Sequence, residues 1–230
     1  MVVAHRGVAT GAAENTIEAF TNAIAVGADM IEFDVRRTRD GELIAFHDAR
    51  VNDRPIGSLT REEIEAVTGV RPPLLDEVLK TCAGRIRLDV ELKEDGYVAD
   101  VMAAIEAVMD VGEVVVTSFL PAVVAQAKDA LPAVKTGLLV GTDAPFYHVR
   151  THLKQIFPIG AARRSRADYL APHYKLAGFG VVGRAAAAGL PCLLWTVNEE
   201  ADIRRFAADP RVAAIITDKA AMALGLVASA

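Results

Sequence analysis

The chain has 230 residues, of which 52% are hydrophobic and 24% charged, and this balance excludes disordered and fibrous proteins because it supports a sizeable buried core. Thirty acidic residues against 25 basic residues give a net charge of -5, and no stretch alternates Lys or Arg with aromatic residues. The charge pattern therefore argues against a nucleic-acid partner.

Short apolar runs bounded by turn residues recur along the chain, and stretches with helical spacing, such as Ile17, Phe20 and Ile24, separate most of them. Strands that alternate with helices pair in parallel, because a crossover helix returns the chain to the same edge of the sheet. Eight such units predict an α/β fold, a TIM (β/α)₈ barrel in one domain spanning 1–230. An open doubly wound sheet is disfavoured, since no Gly-x-Gly-x-x-Gly follows the first run. The predicted strands are Val2–Ala4, Met30–Val35, Ile86–Leu92, Val114–Thr117, Thr136–Val140, Tyr169–Ala171, Cys192–Val197 and Ala213–Thr217.

One additional apolar run, Leu43–Phe46, predicts a hairpin that extends the second strand. Asp40 and Gly41 form the dipeptide that most strongly signals a two-residue turn. A turn centred on them places Asp34 opposite His47. The hairpin therefore returns a histidine to the carboxyl end of the second strand.

Two further segments interrupt the regular alternation. The polar segment 49–71 is predicted to be a short insertion with one helix, Arg61–Val67. Residues 142–167 predict a loop and a helix at the rim of the barrel, with His148 and His152 facing solvent. The insertion is too short for an independent domain.

Polar side chains gather at the carboxyl ends of the first three predicted strands, which in a TIM barrel meet at one mouth. Because unpaired buried charge is costly, this concentration predicts a binding site. The candidates are His5, Arg6, Glu32, Asp34, His47, Glu91 and Lys93.

Glu32 and Asp34 are two residues apart, so they point to the same side of their strand, and Glu91 and Lys93 repeat the spacing on the next strand. Three carboxylates without a thiolate suit Mg²⁺, Ca²⁺ or Mn²⁺ better than zinc. Lys93 could instead pair with a glutamate as a structural ion pair. The sequence predicts a divalent-cation site at Glu32, Asp34 and Glu91.

His5 and His47 are the candidate general acid and base, since one imidazole can remove a proton from the attacking oxygen while the other protonates the leaving oxygen. Arg6 offers a planar fork for a phosphate and Lys93 a compact second positive charge. Trp195 either forms an apolar wall for the rest of the substrate or packs in the core. These residue types together favour phosphoryl transfer.

Several other residues are predicted to have structural roles. Asn15, which precedes a predicted helix, is interpreted as its N-cap, and Glu14 beside it could orient a site residue. His173 also follows a predicted strand, but we expect it to pack rather than to bind. The basic cluster at Arg163, Arg164 and Arg166 indicates an exposed loop.

The cysteines and the hydropathy of the chain bear on its cellular location. Cys82 and Cys192 are too few for a disulfide framework or a thiolate zinc site, so we expect buried apolar packing. The sequence shows no secretory signal pattern and no apolar window of about 18 residues. We therefore expect a cytoplasmic protein without membrane insertion; its oligomeric state stays open.

The ordered motifs resemble those of the glycerophosphodiester phosphodiesterase family. The strongest are His5-Arg6-Gly7, Glu14-Asn15-Thr16, Glu32-x-Asp34, His47-Asp48 and Glu91-x-Lys93; weaker ones are Pro73–Leu79, Ser118-Phe119, Trp195–Asn198 and Thr217-Asp218.

The resemblance implies a TIM-barrel hydrolase that cleaves glycerophosphodiesters to glycerol 3-phosphate and an alcohol with a divalent cation. It implies metal binding by Glu32, Asp34 and Glu91, acid–base catalysis by His5 and His47, and phosphate binding by Arg6 and Lys93. Family members commonly carry a longer insertion after the second histidine, so the trimmed segment here predicts a more open mouth. Three alternatives are kept: another phosphodiesterase of the phospholipase C-like barrel type, a Schiff-base lyase that uses Lys93, and a phosphate-binding protein without turnover.

Overall fold

A computed structural model describes residues 1–141 and 158–228. Among these residues, eight parallel strands close into a barrel, because the first strand pairs with both the second and the last. The predicted TIM-barrel fold is confirmed. In chain order, the strands are β1 Val2–His5, β2 Met30–Arg37, β3 Leu43–Ala45, β4 Arg50–Val51, β5 Arg54–Pro55, β6 Arg87–Leu92, β7 Val114–Ser118, β8 Lys135–Val140, β9 Tyr169–Pro172, β10 Cys192–Leu194 and β11 Val212–Thr217.

Helices cover the outside of the barrel. Their apolar residues alternate with polar ones at helical spacing, so that α1 buries Ala19, Phe20 and Ala23. The predicted helix in the insertion begins at Arg61 as expected and ends one residue later. The helices are α1 Ile17–Ala25, α2 Arg61–Thr68, α3 Leu75–Cys82, α4 Val98–Val108, α5 Pro121–Ala130, α6 Ile159–Arg164, α7 Val181–Ala187, α8 Glu200–Ala207 and α9 Ala220–Ala228.

The strand side chains that point into the barrel form an apolar cluster and, nearer the mouth, a polar site. The apolar cluster fills the interior below the mouth, and its members Leu139 and Ile216 also reach the cavity. The cluster consists of Val3, Met30, Val115, Leu139, Ala171, Leu193, Ala214 and Ile216. On β1 and β2, His5 and Glu32 follow two residues after Val3 and Met30, so strand alternation places them on the same inward face and nearer the mouth. The packed floor therefore supports the polar site from below.

The β2–β3 hairpin differs from its predicted register by one residue. Val35 pairs with Ala45 and Arg37 with Leu43, so the loop has five residues and Asp34 lies opposite Phe46 instead of His47. Within these five residues, the backbone N–H of Thr38 donates to Glu42 O, so the turn itself has three residues, Arg39, Asp40 and Gly41, one more than the predicted Asp-Gly, and Gly41 takes a φ of +91°. The predicted two-residue turn was wrong, although the hairpin itself was right.

The remaining expectations for the fold have mixed outcomes. Strand β10 ends at Leu194, three residues earlier than predicted. Of the irregular segment, residues 142–157, including His148 and His152, lie outside the described residues, and α6 follows at Ile159–Arg164. Insertion 49–71 packs on the hairpin through a small apolar cluster of Ile44, Ile56, Leu59 and Ile64. No helix in the described ranges combines the length and apolar character needed to cross a membrane.

Candidate active site

A cavity of about 510 Å³ opens at the carboxyl ends of the barrel strands. One wall is polar and comes from β1, β2, β6 and the hairpin; the opposite wall is largely apolar and comes from β7, β8, β10 and β11. The polar wall contains His5, Arg6, Glu32, His47, Asp89, Glu91 and Lys93, and the apolar wall includes Phe119, Leu139, Trp195 and Ile216.

The three predicted metal ligands lie together at this mouth. Glu32 and Asp34 are on β2, and the parallel register pairs Asp34 with Glu91 on β6. Each offers a carboxylate oxygen within 4.8 Å of the others, and all three residues are buried. Three hard oxygen donors at this spacing fit a divalent cation.

Within residues 1–141 and 158–228, Glu32 and Asp34 each have a buried oxygen without a hydrogen-bond partner. Asp34 Oδ1 lies in an ion pair with Lys93, whereas Glu32 Oε1 has neither kind of partner among the described residues. Burial, together with the charges of Asp34 and Glu91, raises the pKa of Glu32 well above its usual range. A bound cation would supply the missing partner and the compensating charge.

Lys93 pairs with the other two members of the trio. Its Nζ atom lies 2.6 Å from Asp34 Oδ1 and 2.5 Å from Glu91 Oε1. Burial alone would lower the pKa of Lys93, but Glu91 and Asp34 outweigh it and raise that pKa. The structural ion pair considered from sequence is thus present for Glu91, whereas Glu32 keeps an unpartnered oxygen.

Arg6 links the first strand to the trio. Its backbone has a φ of +55°, and its N–H donates to Glu32 Oε2 at 3.0 Å. The guanidinium lies 2.9 Å from Glu14 Oε2 and 3.3 Å from Asp34 Oδ2. Burial alone would raise the pKa of Asp34, but Lys93 and Arg6 hold it below its usual range, so Asp34 is charged. Glu14 orients Arg6 as anticipated.

Asn15 is not the N-cap that the sequence predicted. Thr16 caps α1 by accepting the N–H of Ala19, whereas Asn15 has a φ of +57° and turns inward. Its amide donates to Asp34 Oδ2 at 2.8 Å, and its carbonyl accepts the backbone N–H of Asp34 at 3.3 Å. Asn15 therefore orients a candidate metal ligand.

A hydrogen-bonded chain that sequence reasoning missed lies behind His5. The Nδ1 atom of His5 is 2.6 Å from Asp218 Oδ1, and Asn198 donates to Asp218 Oδ2 at 2.6 Å. Asn198 Oδ1 accepts from the hydroxyl of Thr217 and the N–H of Asp218, both at 3.0 Å. With a proton on Nδ1 directed at Asp218, His5 presents Nε2 to the cavity, 3.8 Å from Glu32 Oε2.

His47 also lines the cavity and lies two residues after β3 ends. Its Nδ1 atom is 2.8 Å from Asp48 Oδ1, which leaves Nε2 for the cavity. Burial lowers the pKa of His47 despite the opposing effect of Asp34, so the imidazole is neutral near pH 7. Both predicted histidines therefore line the same cavity as Glu32 and Glu91 of the trio.

Asp89 is a fourth carboxyl group in the cavity wall that the sequence analysis did not single out. It precedes Glu91 by two residues on β6 and accepts a hydrogen bond from Thr117 at 2.7 Å. Burial raises the pKa of Asp89 to about 7. Its spacing of two residues from Glu91 could have predicted that it faces the same cavity, because residues two apart on a strand share a face.

Trp195 forms part of the apolar wall. Its indole N–H donates to Ala171 O at 2.7 Å, and its ring meets Phe119 edge-on at 5.5 Å. Phe119 is 41% exposed at the rim. His173 is buried and packs its ring against Trp195 at 5.0 Å, and it is not among the residues that line the cavity, in keeping with the expected packing role.

The cysteines and the basic cluster are structural. Cys82 and Cys192 are buried free thiols, and burial raises the pKa of each to about 12. Arg163, Arg164 and Arg166 are exposed, and Arg166 pairs with Asp129 at 2.6 Å. The buried packing of the cysteines and the exposure of the arginines are confirmed, but Arg163 and Arg164 lie in the last turn of α6 and not in the predicted loop.

Comparison with known proteins agrees with this geometry. The model of the glycerophosphoryl diester phosphodiesterase family matches residues 5–222. YhdW of Bacillus subtilis (strain 168) is 30% identical over 86% of both chains. A glycerophosphodiester phosphodiesterase of Caldanaerobacter subterraneus subsp. tengcongensis is 29% identical over 99% of this chain and 97% of its own. An Oleispira antarctica phosphodiesterase, solved with the product sn-glycerol-3-phosphate, shares the fold with a TM-score of 0.79 and 21% identity over 99% and 96% of the two chains.

Proposed function

Because the chain belongs to the glycerophosphoryl diester phosphodiesterase family, a family of phosphoric diester hydrolases, we propose that it hydrolyses glycerophosphodiesters to glycerol 3-phosphate and an alcohol. The observation that carries the proposal is the trio of buried carboxylates, because its Glu32 and Glu91 line the same cavity as the two imidazoles and Glu32 Oε1 has no partner among the described residues. We further propose that the reaction depends on a divalent cation and on both histidines.

Glu32, Asp34 and Glu91 would hold the cation, which when bound polarises the phosphoryl group and offsets its negative charge. Arg6 and Lys93 direct positive charge toward the same space and orient the phosphate. One histidine accepts the proton of the attacking oxygen through Nε2, and the other donates a proton to the leaving oxygen. Trp195 and Phe119 would contact the non-phosphate part of the substrate.

The attacking oxygen belongs either to water or to the glycerol 2-hydroxyl, which would give a cyclic phosphate first. A substrate that lacks this hydroxyl distinguishes the two routes, since undiminished turnover excludes the cyclic one. A cyclic phosphate as the final product would instead favour the phospholipase C-like type.

The decisive assay measures glycerol 3-phosphate released from glycerophosphocholine and glycerophosphoethanolamine, with and without a chelator. We expect chelation to abolish release and Mg²⁺, Ca²⁺ or Mn²⁺ to restore it. Glu32→Gln should lose activity by about 10²-fold or more, whereas Glu106→Gln, at an exposed glutamate of α4, should not. Full turnover in the presence of chelator would refute the proposed dependence on a cation. If no diester were hydrolysed, the alternative of a phosphate-binding protein without turnover would be favoured.

The rival Schiff-base lyase needs a neutral, nucleophilic Lys93. The two carboxylates beside its Nζ atom keep the ammonium form, which opposes that role. Borohydride trapping of a carbonyl substrate on Lys93 would reverse this conclusion. The single-domain organisation and the cytoplasmic location stay predictions.

A further inference from the structure

Arg36 follows Asp34 by two residues on β2, and strand alternation places both on the face that points toward the mouth. The side chain of Arg36 is 9% exposed, and it is not among the residues that line the cavity. Its Nε atom donates to the backbone carbonyl of His47 at 2.8 Å. Arg36 thus contacts the backbone of His47, a candidate catalytic residue, from outside the cavity.

The far end of the Arg36 guanidinium is also fixed. It forms a close ion pair with Glu94, in the loop after β6. The hydroxyl of Tyr97 lies 3.0 Å from Glu94 Oε2, accepts the N–H of Glu94 at 3.1 Å and donates to Val35 O at 2.6 Å. Arg36 therefore connects the loop after β6 to the end of the hairpin through contacts at both ends of its guanidinium.

His47 lies where the hairpin ladder no longer constrains the chain. The ladder ends at Ala45, and the last bond to β2 runs from Phe46 N to Asp34 O at 3.0 Å. The imidazole bonds to Asp48, whose side chain is 69% exposed and follows it directly in sequence. The Arg36 contact is consequently a long-range restraint on where His47 sits.

We infer that Arg36 is a positioning residue that holds His47 at the distance and angle that proton transfer requires. This inference rests on the proposed role of His47. A misplacement of about 1 Å in a reacting group can cost about 10²-fold in rate. Because Arg36 holds the backbone of His47 and is not a lining residue of the cavity, its loss should lower kcat and leave KM nearly unchanged.

The test is a double-mutant cycle that measures glycerol 3-phosphate release from glycerophosphocholine at saturating cation. Arg36→Met should lower kcat by about 10–100-fold with KM within about twofold. The matched control is Arg37→Met, because Arg37 is the next residue and also contacts the loop after β6, at Gly96 O, but not His47. In the His47→Ala protein, Arg36→Met should change kcat by less than about twofold.

Arg36→Lys should recover part of the loss, since an ammonium can reach one of the two partners. If Arg36→Met does not fold, Arg36→Lys and Glu94→Gln replace it, and each is combined with His47→Ala in the same double-mutant cycle. The inference is overturned if Arg36→Met keeps kcat within about twofold, or if it lowers kcat equally with and without His47. An active His47→Ala protein would instead refute the proposed function of His47.

Discussion

Replacing Asp218 by Asn should force His5 into the wrong tautomer. Asn198 cannot rotate its amide, because its Oδ1 atom accepts from both Thr217 and the backbone of Asp218. Its NH₂ group therefore always points at residue 218. In the Asp218→Asn protein, the new amide must turn its carbonyl to Asn198 and its NH₂ group to His5 Nδ1.

The expected loss follows from the two roles open to His5. As a base, Nε2 would already carry the proton; as an acid, the imidazolium would face an amide N–H instead of a carboxylate. Either outcome removes the contribution of one acid–base group, which is about 10²–10⁴-fold in kcat, or about 3–5 kcal/mol. KM should change little, since Asp218 is not among the lining residues of the cavity.

The assay compares kcat for glycerophosphocholine hydrolysis in Asp218→Asn, Asn198→Asp and the double variant. A carboxylate at position 198 accepts the new NH₂ group, so the carbonyl can return to His5 Nδ1. The double variant should therefore be at least about tenfold faster than Asp218→Asn alone. Retention of kcat within about fivefold in Asp218→Asn, or no recovery in the double variant, would refute the tautomer argument.

Three further predictions concern other parts of the chain. Asn15→Ala should raise the cation concentration for half-maximal activity about 10–100-fold, because Asp34 loses its amide partner; unchanged activation would contradict this role. Cys82 and Cys192, with pKa values of about 12, should resist a thiol reagent at pH 8 until the protein is unfolded; rapid labelling of the native protein would show exposed thiols. Asp168→Asn should cost about 1–2 kcal/mol of unfolding free energy at pH 7. Hydrogen bonds from two lysines and a backbone amide outweigh burial and lower the pKa of Asp168. The difference, measured by urea unfolding, should therefore be constant above about pH 5, begin to shrink as the pH falls below about 4, and be lost as the pH passes through the lowered pKa; a difference that did not shrink at all below about pH 4 would exclude it.

The barrel and the carboxylate trio could be predicted because they depend on local patterns. Buried parallel strands are short apolar runs, and residues two apart on a strand share a face. The spacing of Glu32 and Asp34 therefore predicts that their side chains lie together. Glu91 is predicted to join them because the carboxyl ends of the strands meet at one mouth.

The supporting contacts could not be predicted, because they join residues distant in sequence. Asn15 matches a helix N-cap locally, and its bond to Asp34 spans 19 residues. The bond between His5 and Asp218 spans 213. The motifs Trp195–Asn198 and Thr217-Asp218 did mark that region, but a sequence pattern carries no hydrogen-bond direction.

The division of the cavity into a charged and an apolar wall has a consequence for adaptation. Proton transfer and phosphate binding are assigned to one arc of the barrel, whereas Phe119, Trp195 and Leu139 come from strands on the facing arc. Substitutions in the apolar wall can change the preference for the alcohol that is released without disturbing the ionised groups of the polar wall. Directed evolution toward a new leaving group should therefore collect its changes at Leu139 on β8 and in the loops after β7 and β10.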